Sequence, residues 1–367
     1  MRNLKRTLSL ALASVMLVGM MSVGASAVNA SDFTDADEIV NKDAVSTMTA
    51  LGIINGKEDG SYFDPTGNVT RAEMAKMLCV AINGGVDPVL GVKDTPTFTD
   101  IKGTWAESYI EYCAANGIIA GRGNNKFDPT GTVSATEAAK MLLGVLGYSA
   151  EKSGLVGNDW AINTNVLANQ NGLYKKLSNL NANTLLTRDN AAQMIYNALD
   201  ADMVELNAAG NYTTSQYSYT GTESVVTGTE RVWVLTIKEN NCTDSGIKAA
   251  VDALSGSVYN SRSDADETVK EVAGAEFNKV KYALEQKTQN VYGENTVTKY
   301  ADETMGHKYL SLITDGDAVL TDVEKDSKGT YTLYMNGITT KGQYTKVEGD
   351  YSNLIGQKVE VLYKDRE

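Results

Sequence analysis

The sequence predicts an α+β multidomain chain, with an all-α N-terminal module of three helix-loop-helix repeats followed by a mixed, β-rich C-terminal region. Two observations carry this. Between residues 33 and 200 the chain repeats itself, and after Asp202 its composition changes: most of the Tyr lie beyond residue 205, Pro disappears, and Thr and Gly rise.

The leader comes first. Arg2, Lys5 and Arg6 precede an apolar run from Leu8 to Val23, and Ala25-Ser26-Ala27 supplies a small-x-small exit, so residues 1–27 read as a secretory signal peptide. Its removal takes away three cations and no acids, and the formal charge moves from -13 to -16. No later stretch reaches the roughly 20 apolar residues of a membrane span. Export makes the cysteines worth a check: Cys79 and Cys113 sit on helical apolar stripes and read as core residues, and Cys242 falls in a polar loop, so no disulfide framework is expected.

The repeats come next. Phe33-Thr34-Asp35 recurs as Phe98-Thr99-Asp100, and Leu51-Gly52-Ile53-Ile54-Asn55-Gly56 as Asn116-Gly117-Ile118-Ile119-Ala120-Gly121. Phe63-Asp64-Pro65-Thr66-Gly67 returns as Phe127-Asp128-Pro129-Thr130-Gly131, and Val69-Thr70-Arg71-Ala72-Glu73 as Val133-Ser134-Ala135-Thr136-Glu137. A looser third copy begins at Asp159-Trp160-Ala161, passes Asn171-Gly172-Leu173 and ends in Leu186-Thr187-Arg188-Asp189-Asn190. Each copy reads as helix, Gly-containing loop, helix. In copy two Trp105, Tyr109, Ile110 and Cys113 form one apolar stripe that stops at Gly117. The copies span 33–92, 98–150 and 155–202.

The second helix of each copy opens on a cap. Thr70-x-x-Glu73 and Ser134-x-x-Glu137 are capping boxes, and Thr187 caps copy three. Arg71 and Arg188 stand at the first helical position, where a cation opposes the helix dipole. An anionic ligand held by the guanidinium and the free helix N–H groups would offset that mismatch. Copy two has Ala135 there, so the cap and the ligand contact are expected to be separable.

In these motifs the sequence resembles S-layer homology domains over roughly residues 33–202. That resemblance implies three units folded into one pseudo-threefold module, which binds secondary cell-wall polymers non-covalently, typically glycans bearing ketal-linked pyruvate, in grooves between units. The Arg of Thr-Arg-Ala-Glu then contacts the acidic sugar. On this chain the implied glycan-binding residues are Arg71 and Arg188, with Lys57 and Arg122 after Gly56 and Gly121 as second contacts, and Trp105 and Trp160 as sugar platforms or core residues. Copy two departs at Ala135, and copy three has Asn190 for the Glu and lacks Phe-Asp-Pro, so fewer than three working grooves are expected.

The second half says less. Residues 205–230 are polar and read as a linker, and 231–367 as a mixed α/β to β-rich region. Within it Arg231 to Lys238 reads as a strand, Ser245 to Leu254 and Asp266 to Leu284 as helical, Asp326-Ser327-Lys328-Gly329 as a turn, Asn336-Gly337 as a two-residue hairpin and Lys358 to Lys364 as a last strand, with nothing obvious to close a sheet after it. The sequence as a whole therefore reads as an N-terminal portion of a longer protein.

Charge and composition exclude several functions. An acidic chain without a basic patch is not expected to bind nucleic acid, and one histidine, His307, rules out a two-His metal site and reads as a surface or turn residue. No catalytic residues and no cofactor are expected. The acidic pairs Asp264/Asp266 and Asp315/Asp317 could bind Ca²⁺, yet they lack the ligand series and terminal Glu of a dedicated loop, and a solvated hairpin is the expectation there. Two readings remain: a wall-anchored structural protein whose second half is spacer, lattice former or display module, with self-assembly in a surface layer as its second partnership, or a wall-anchored carbohydrate-active enzyme using two carboxylates.

Overall fold

The computed structural model describes residues 16–19, 29–57, 60–177, 180–181, 183–337, 343–347 and 350–364. Of the expected leader only Met16–Gly19 (β1) falls within them.

Each copy delivers its two helices: α1 Lys42–Ala50 and α2 Arg71–Ile82, α3 Glu107–Ala115 and α4 Ala135–Val145, α5 Trp160–Gln170 and α6 Arg188–Leu199. The capping boxes form as the sequence predicts. The Thr70 hydroxyl accepts from the Glu73 amide at 3.2 Å while the Glu73 carboxylate accepts from the Thr70 amide at 2.7 Å. Ser134 and Glu137 exchange the same pair at 3.2 and 2.9 Å, and Thr187 accepts from the Asn190 amide. Gly52, Gly117 and Gly172 end the first helices with φ near +70°, open to a residue without Cβ.

Phe-x-Asp and Phe-Asp-Pro recur together because they bind each other. The Asp35 carboxylate accepts from the Phe63 and Asp64 amides at 2.9 and 2.7 Å, and Asp100 accepts from Phe127 and Asp128 at 2.9 and 2.8 Å. The ring pairs Phe33/Phe63 and Phe98/Phe127 pack at 5.2 and 5.5 Å.

The three copies meet where their second helices begin. The Val69 amide donates to Leu186 O (2.9 Å), Leu186 to Val133 O (2.8 Å), and Val133 to Val69 O (2.9 Å), closing a ring of three side chains shut off from solvent. One core runs through all three copies, from Phe33 to Met203, and holds Cys79 and Cys113 as unpaired buried thiols. Trp105 leaves the expected stripe: it precedes α3 and stands 61% exposed, while Ile110 and Cys113 are buried.

The second half differs from its sequence reading. The chain divides into two units, 1–217 with 302–367, and 218–301. Residues 205–230 are not a linker: Val204–Leu206 (β2) pairs with Tyr212–Thr214 (β3), and Gln216–Asn240 (β4) is one strand of 25 residues. Periodic β-forming residues paired on a long partner outweigh the polar composition.

In the unit 218–301, β4 is flanked by Val258–Tyr259 (β5) and Val280–Asp302 (β6). Ser245–Ala253 (α7) and Arg262–Ala273 (α8) cover one end of this sheet. The helix expected to Leu284 stops at Ala273, because Gly274 breaks it with φ +50° and a 3₁₀ turn leads into β6. Cys242 lies in the loop between β4 and α7, as expected, and is buried there against this small core.

In the other unit, His307 lies on Met305–Leu310 (α9), which packs on α6 so closely that a Cβ on Gly306 would meet Leu199 O at 2.9 Å. His307 is half-buried, stacked on Tyr217 at 3.7 Å and bonded through Nδ1 to Glu303 at 3.1 Å, so it is neither a bare surface residue nor in a turn. Leu312–Lys325 (β7), Tyr331–Gly337 (β8), Gln343–Val347 (β9) and Lys358–Lys364 (β10) form a sheet in the order β1-β10-β7-β8-β9. Asp326 to Gly329 is the β7–β8 turn as expected. Asn336 and Gly337 do not form a two-residue hairpin: they are the last two residues of β8, paired with Val319 and Ala318 of β7. β10 is closed by the antiparallel β7 on one side and the parallel β1 on the other, and cleavage after Ala27 would take β1 away.

Asp100→Ala should cost about 2–4 kcal/mol of stability by orphaning two amides, and Asp35→Ala a similar amount, read by denaturant unfolding. A loss under about 0.5 kcal/mol for both would contradict the paired-motif account.

Candidate functional site

A groove of about 370 Å³ opens where copies one, two and three adjoin. Its floor is set by Arg71, its wall by the Ala120-Gly121-Arg122 loop with Glu137 and Lys140 of copy two, and its far side by Gly157 and Trp160 of copy three.

Arg71 is only 3% exposed. Its Nε donates to Phe127 O at 2.7 Å and its Nη2 to Ala120 O at 2.6 Å; Nη1 lies 3.3 Å from Glu137, and the guanidinium covers the Phe127 ring at 4.4 Å. Burial pushes its pKa down to about 10 against the pull of Glu137. Arg188, 5% exposed, repeats the arrangement on copy one: Nε to Phe63 O at 2.8 Å, Nη2 to Asn55 O at 2.9 Å, and the Phe63 ring at 5.1 Å. Both are clamps between copies. The cation opposed to its own helix dipole is stabilised by carbonyls of the neighbouring copy, so the expected separation of fold and ligand contact fails at these two residues.

The loop cations are paired too. Lys57 Nζ meets Asp64 at 2.5 Å, and Arg122 bonds Asp128 at 2.7 Å, Thr132 O at 2.9 Å and Glu137 at 2.7–2.9 Å. Gly56 and Gly121 are required by close approach: a Cβ would meet Gly60 O at 2.1 Å and Lys126 O at 2.7 Å. Burial alone would raise the Glu137 carboxyl, but the Ser134 amide and the Arg122 and Arg71 guanidinium groups hold it below its ordinary value.

Sequence reading missed Lys140. Its Nζ lies 5.2 Å above the Trp160 ring and has no hydrogen bond or ion pair among the described residues, and burial, then the Arg71 charge, lowers its pKa. The signal was present, since Thr70…Lys76 and Ser134…Lys140 share one spacing and Lys76 sits likewise over Tyr109 at 5.4 Å. Trp160 is half-buried with its face to the groove cation, and Trp105 is exposed beside Tyr109, so neither is a core residue. Chemically the groove offers three cations around one carboxylate and an aromatic face, which suits an anionic sugar.

The corresponding site between copies three and one, about 330 Å³, is built otherwise. Asp189 occupies it, bonded to the Asn41 amide at 3.0 Å and its side chain at 2.6 Å, and Lys176 is its one lining cation among the described residues. Elsewhere, Asp264 and Asp266 lie on α8 rather than in a hairpin, and Asp266 accepts from Tyr282 at 2.7 Å; the Asp315 and Asp317 side chains lie outside the described residues.

Arg71→Ala should destabilise the repeats by about 2–4 kcal/mol, since the buried Phe127 carbonyl and the part-buried Ala120 carbonyl lose a charged donor; an unchanged melting temperature would contradict the clamp. Glu137 is ionised in the fold below its usual range, so its contribution is present above the ordinary carboxylate pKa and lost as pH falls below about 4. Glu137→Gln should flatten that part of the pH–stability curve, and an identical acid slope would refute the assignment.

Residues 32–75 and 97–139 match the S-layer homology domain. The chain is 30% identical over 113 residues to an S-layer protein of Bacillus licheniformis, covering 31% of this chain and 12% of that protein. It is 30% identical over 170 residues to the middle cell wall protein of Brevibacillus brevis (44% and 15%), and 28% over 156 residues to an exoglucanase of Acetivibrio thermocellus (40% and 14%). The matched stretches thus span about a seventh of these relatives' lengths. Among the described residues no helix is long and apolar enough to cross a membrane. With two matched repeats and relatives of this kind, the chain is a secreted cell-surface protein carrying S-layer homology domains.

Proposed function

We propose that residues 33–202 form one pseudo-threefold module that anchors the chain non-covalently to the cell wall by holding an anionic secondary wall polysaccharide, with a structural role for the remainder. The closed ring at Val69, Val133 and Leu186 supports the threefold arrangement. One observation carries the ligand: in a chain of charge -13, the groove gathers Arg71, Arg122 and Lys140 around a tryptophan face. Arg122 and Lys140 provide charge at the rim and Trp160 the platform, while Arg71 fixes the floor. A ketal-linked pyruvate would bring its carboxylate to Lys140 Nζ, the groove cation with no hydrogen bond or ion pair among the described residues. The Asp189 site, where Ala135 replaces the clamp and a carboxylate lines the opening, suits an acidic sugar less than the Arg71 groove does.

The exported chain should sediment with purified wall sacculi and stop doing so once the secondary polymer or its pyruvyl groups are removed. Lys140→Ala should weaken binding by about 1.5–3 kcal/mol with little change in melting temperature. Undiminished binding to bare peptidoglycan would overturn the glycan reading.

Similarity to the exoglucanase favours a second reading, an anchored carbohydrate-active enzyme. It requires this chain to release reducing ends from wall or plant polysaccharide, and failure to do so over a panel of such substrates would remove it.

A further inference from the structure

Export carries three thiols to a place that favours pairing, and the fold brings two of them together. Cys79 of α2 and Cys113 of α3 are both fully buried. Their spacing in sequence carries no disulfide signature; they meet because α2 of copy one packs on α3 of copy two. Cys113 Sγ lies 3.4 Å from Ala75 O, the carbonyl that the Cys79 amide reaches across one turn of α2. The two thiols also interact directly. That contact pulls the Cys79 thiol below its ordinary value, and the same contact with burial pushes Cys113 up.

Packing alone does not call for cysteine at these positions. At the other boundaries α4 packs on α5 and α6 on α1, and the repeat puts Leu143 with Ala168 and Tyr196 with Met48 at the equivalent places, all of them buried. Side chains of very different size fill the same role there. Cysteine makes up three of the 367 residues, yet it stands on both sides of the one boundary. The third, Cys242, belongs to the unit 218–301 and packs in that unit's own core.

We propose that Cys79 and Cys113 are a disulfide site, which staples copy one to copy two when the exported chain folds in the presence of a disulfide oxidant. The Cys79 thiolate attacks one sulfur of the oxidant R–S–S–R, forming a mixed disulfide and releasing the first R–SH. The Cys113 sulfur then attacks Cys79 Sγ and releases the second. Each cysteine gives up its proton, and two electrons pass from the pair to the oxidant. Cys79, the more acidic of the two, supplies the first nucleophile. Burial sets the timing: the oxidant reaches these sulfurs while the chain folds, and the closed core then shields the bond from reductants. The bond crosses the same boundary as the Arg71 clamp, and it stands independently of wall binding.

The test refolds the reduced, unfolded exported chain in a mixture of glutathione and glutathione disulfide, quenches it by alkylation and counts free thiols under denaturant. One free thiol, on Cys242, and a cross-linked peptide joining Cys79 to Cys113 are expected. The oxidised chain should melt about 5–15 °C above the same chain held in reductant, because the bond restricts the unfolded state. Cys79→Ala and Cys113→Ala should each abolish that difference; where a variant fails to fold, the thiol count on the unsubstituted chain decides alone. Three free thiols, pairings that draw in Cys242 as readily as its neighbours, or a melting difference that is absent or survives either substitution would each overturn the assignment. Wall sedimentation should be equal for the oxidised and reduced chains while both are folded, so its loss from both would count against the anchoring reading and leave this one unaffected.

Discussion

Three backbone hydrogen bonds arranged in a cycle hold the rest of the repeat module in place. Val69, Val133 and Leu186 each donate to one neighbour and accept from the other, at 2.8–2.9 Å and with no solvent access. A copy that left would orphan a buried amide and a buried carbonyl, each costing about 1–3 kcal/mol. The cycle also fixes the distance between each second helix and the loop of the next copy. Arg71 N then reaches Gly131 O, Arg188 N reaches Gly67 O, and Ala135 N reaches Thr184 O.

That spacing accounts for the irregularities of the repeats. Arg71 and Arg188 point across the boundary into the Phe-Asp-Pro loop of a neighbour, whose carbonyls at Phe127 and Phe63 they hold. An arginine at 135 would point into copy three, which has no Phe-Asp-Pro loop, and the residue there is alanine. Two departures from the repeat pattern are thus one departure, seen from each side of the same boundary. The same geometry supplies the groove: a buried clamp forms the floor, and Lys140, with no hydrogen bond or ion pair among the described residues, faces the opening beside Trp160.

Much of the helical half is legible because its signals are local. Capping boxes, glycine stops and Phe-x-Asp motifs act within a few residues or within one copy, and repetition makes them visible. What Arg71 does was not legible, since its partners are 49 and 56 residues away and only the arrangement of copies brings them near. Lys140 was masked by looking ordinary, a lysine on a helix, until Trp160 of the next copy covered it. The polar stretch before Arg231 misled for a different reason: composition resembles a linker, but strand pairing with β6 comes from a segment more than 60 residues on. In the same way Asn336-Gly337 has the chemistry of a tight hairpin, yet both residues end β8, paired with β7.

The central claim is that the three copies are one cooperative unit closed by the cycle. Native-state hydrogen exchange of the Val69, Val133 and Leu186 amides measures it directly. All three should exchange through the same opening, with one free energy and one denaturant dependence that match global unfolding of the repeats. Three different opening energies, or one amide exchanging while the other two stay protected, would show that the copies open separately and would contradict the account.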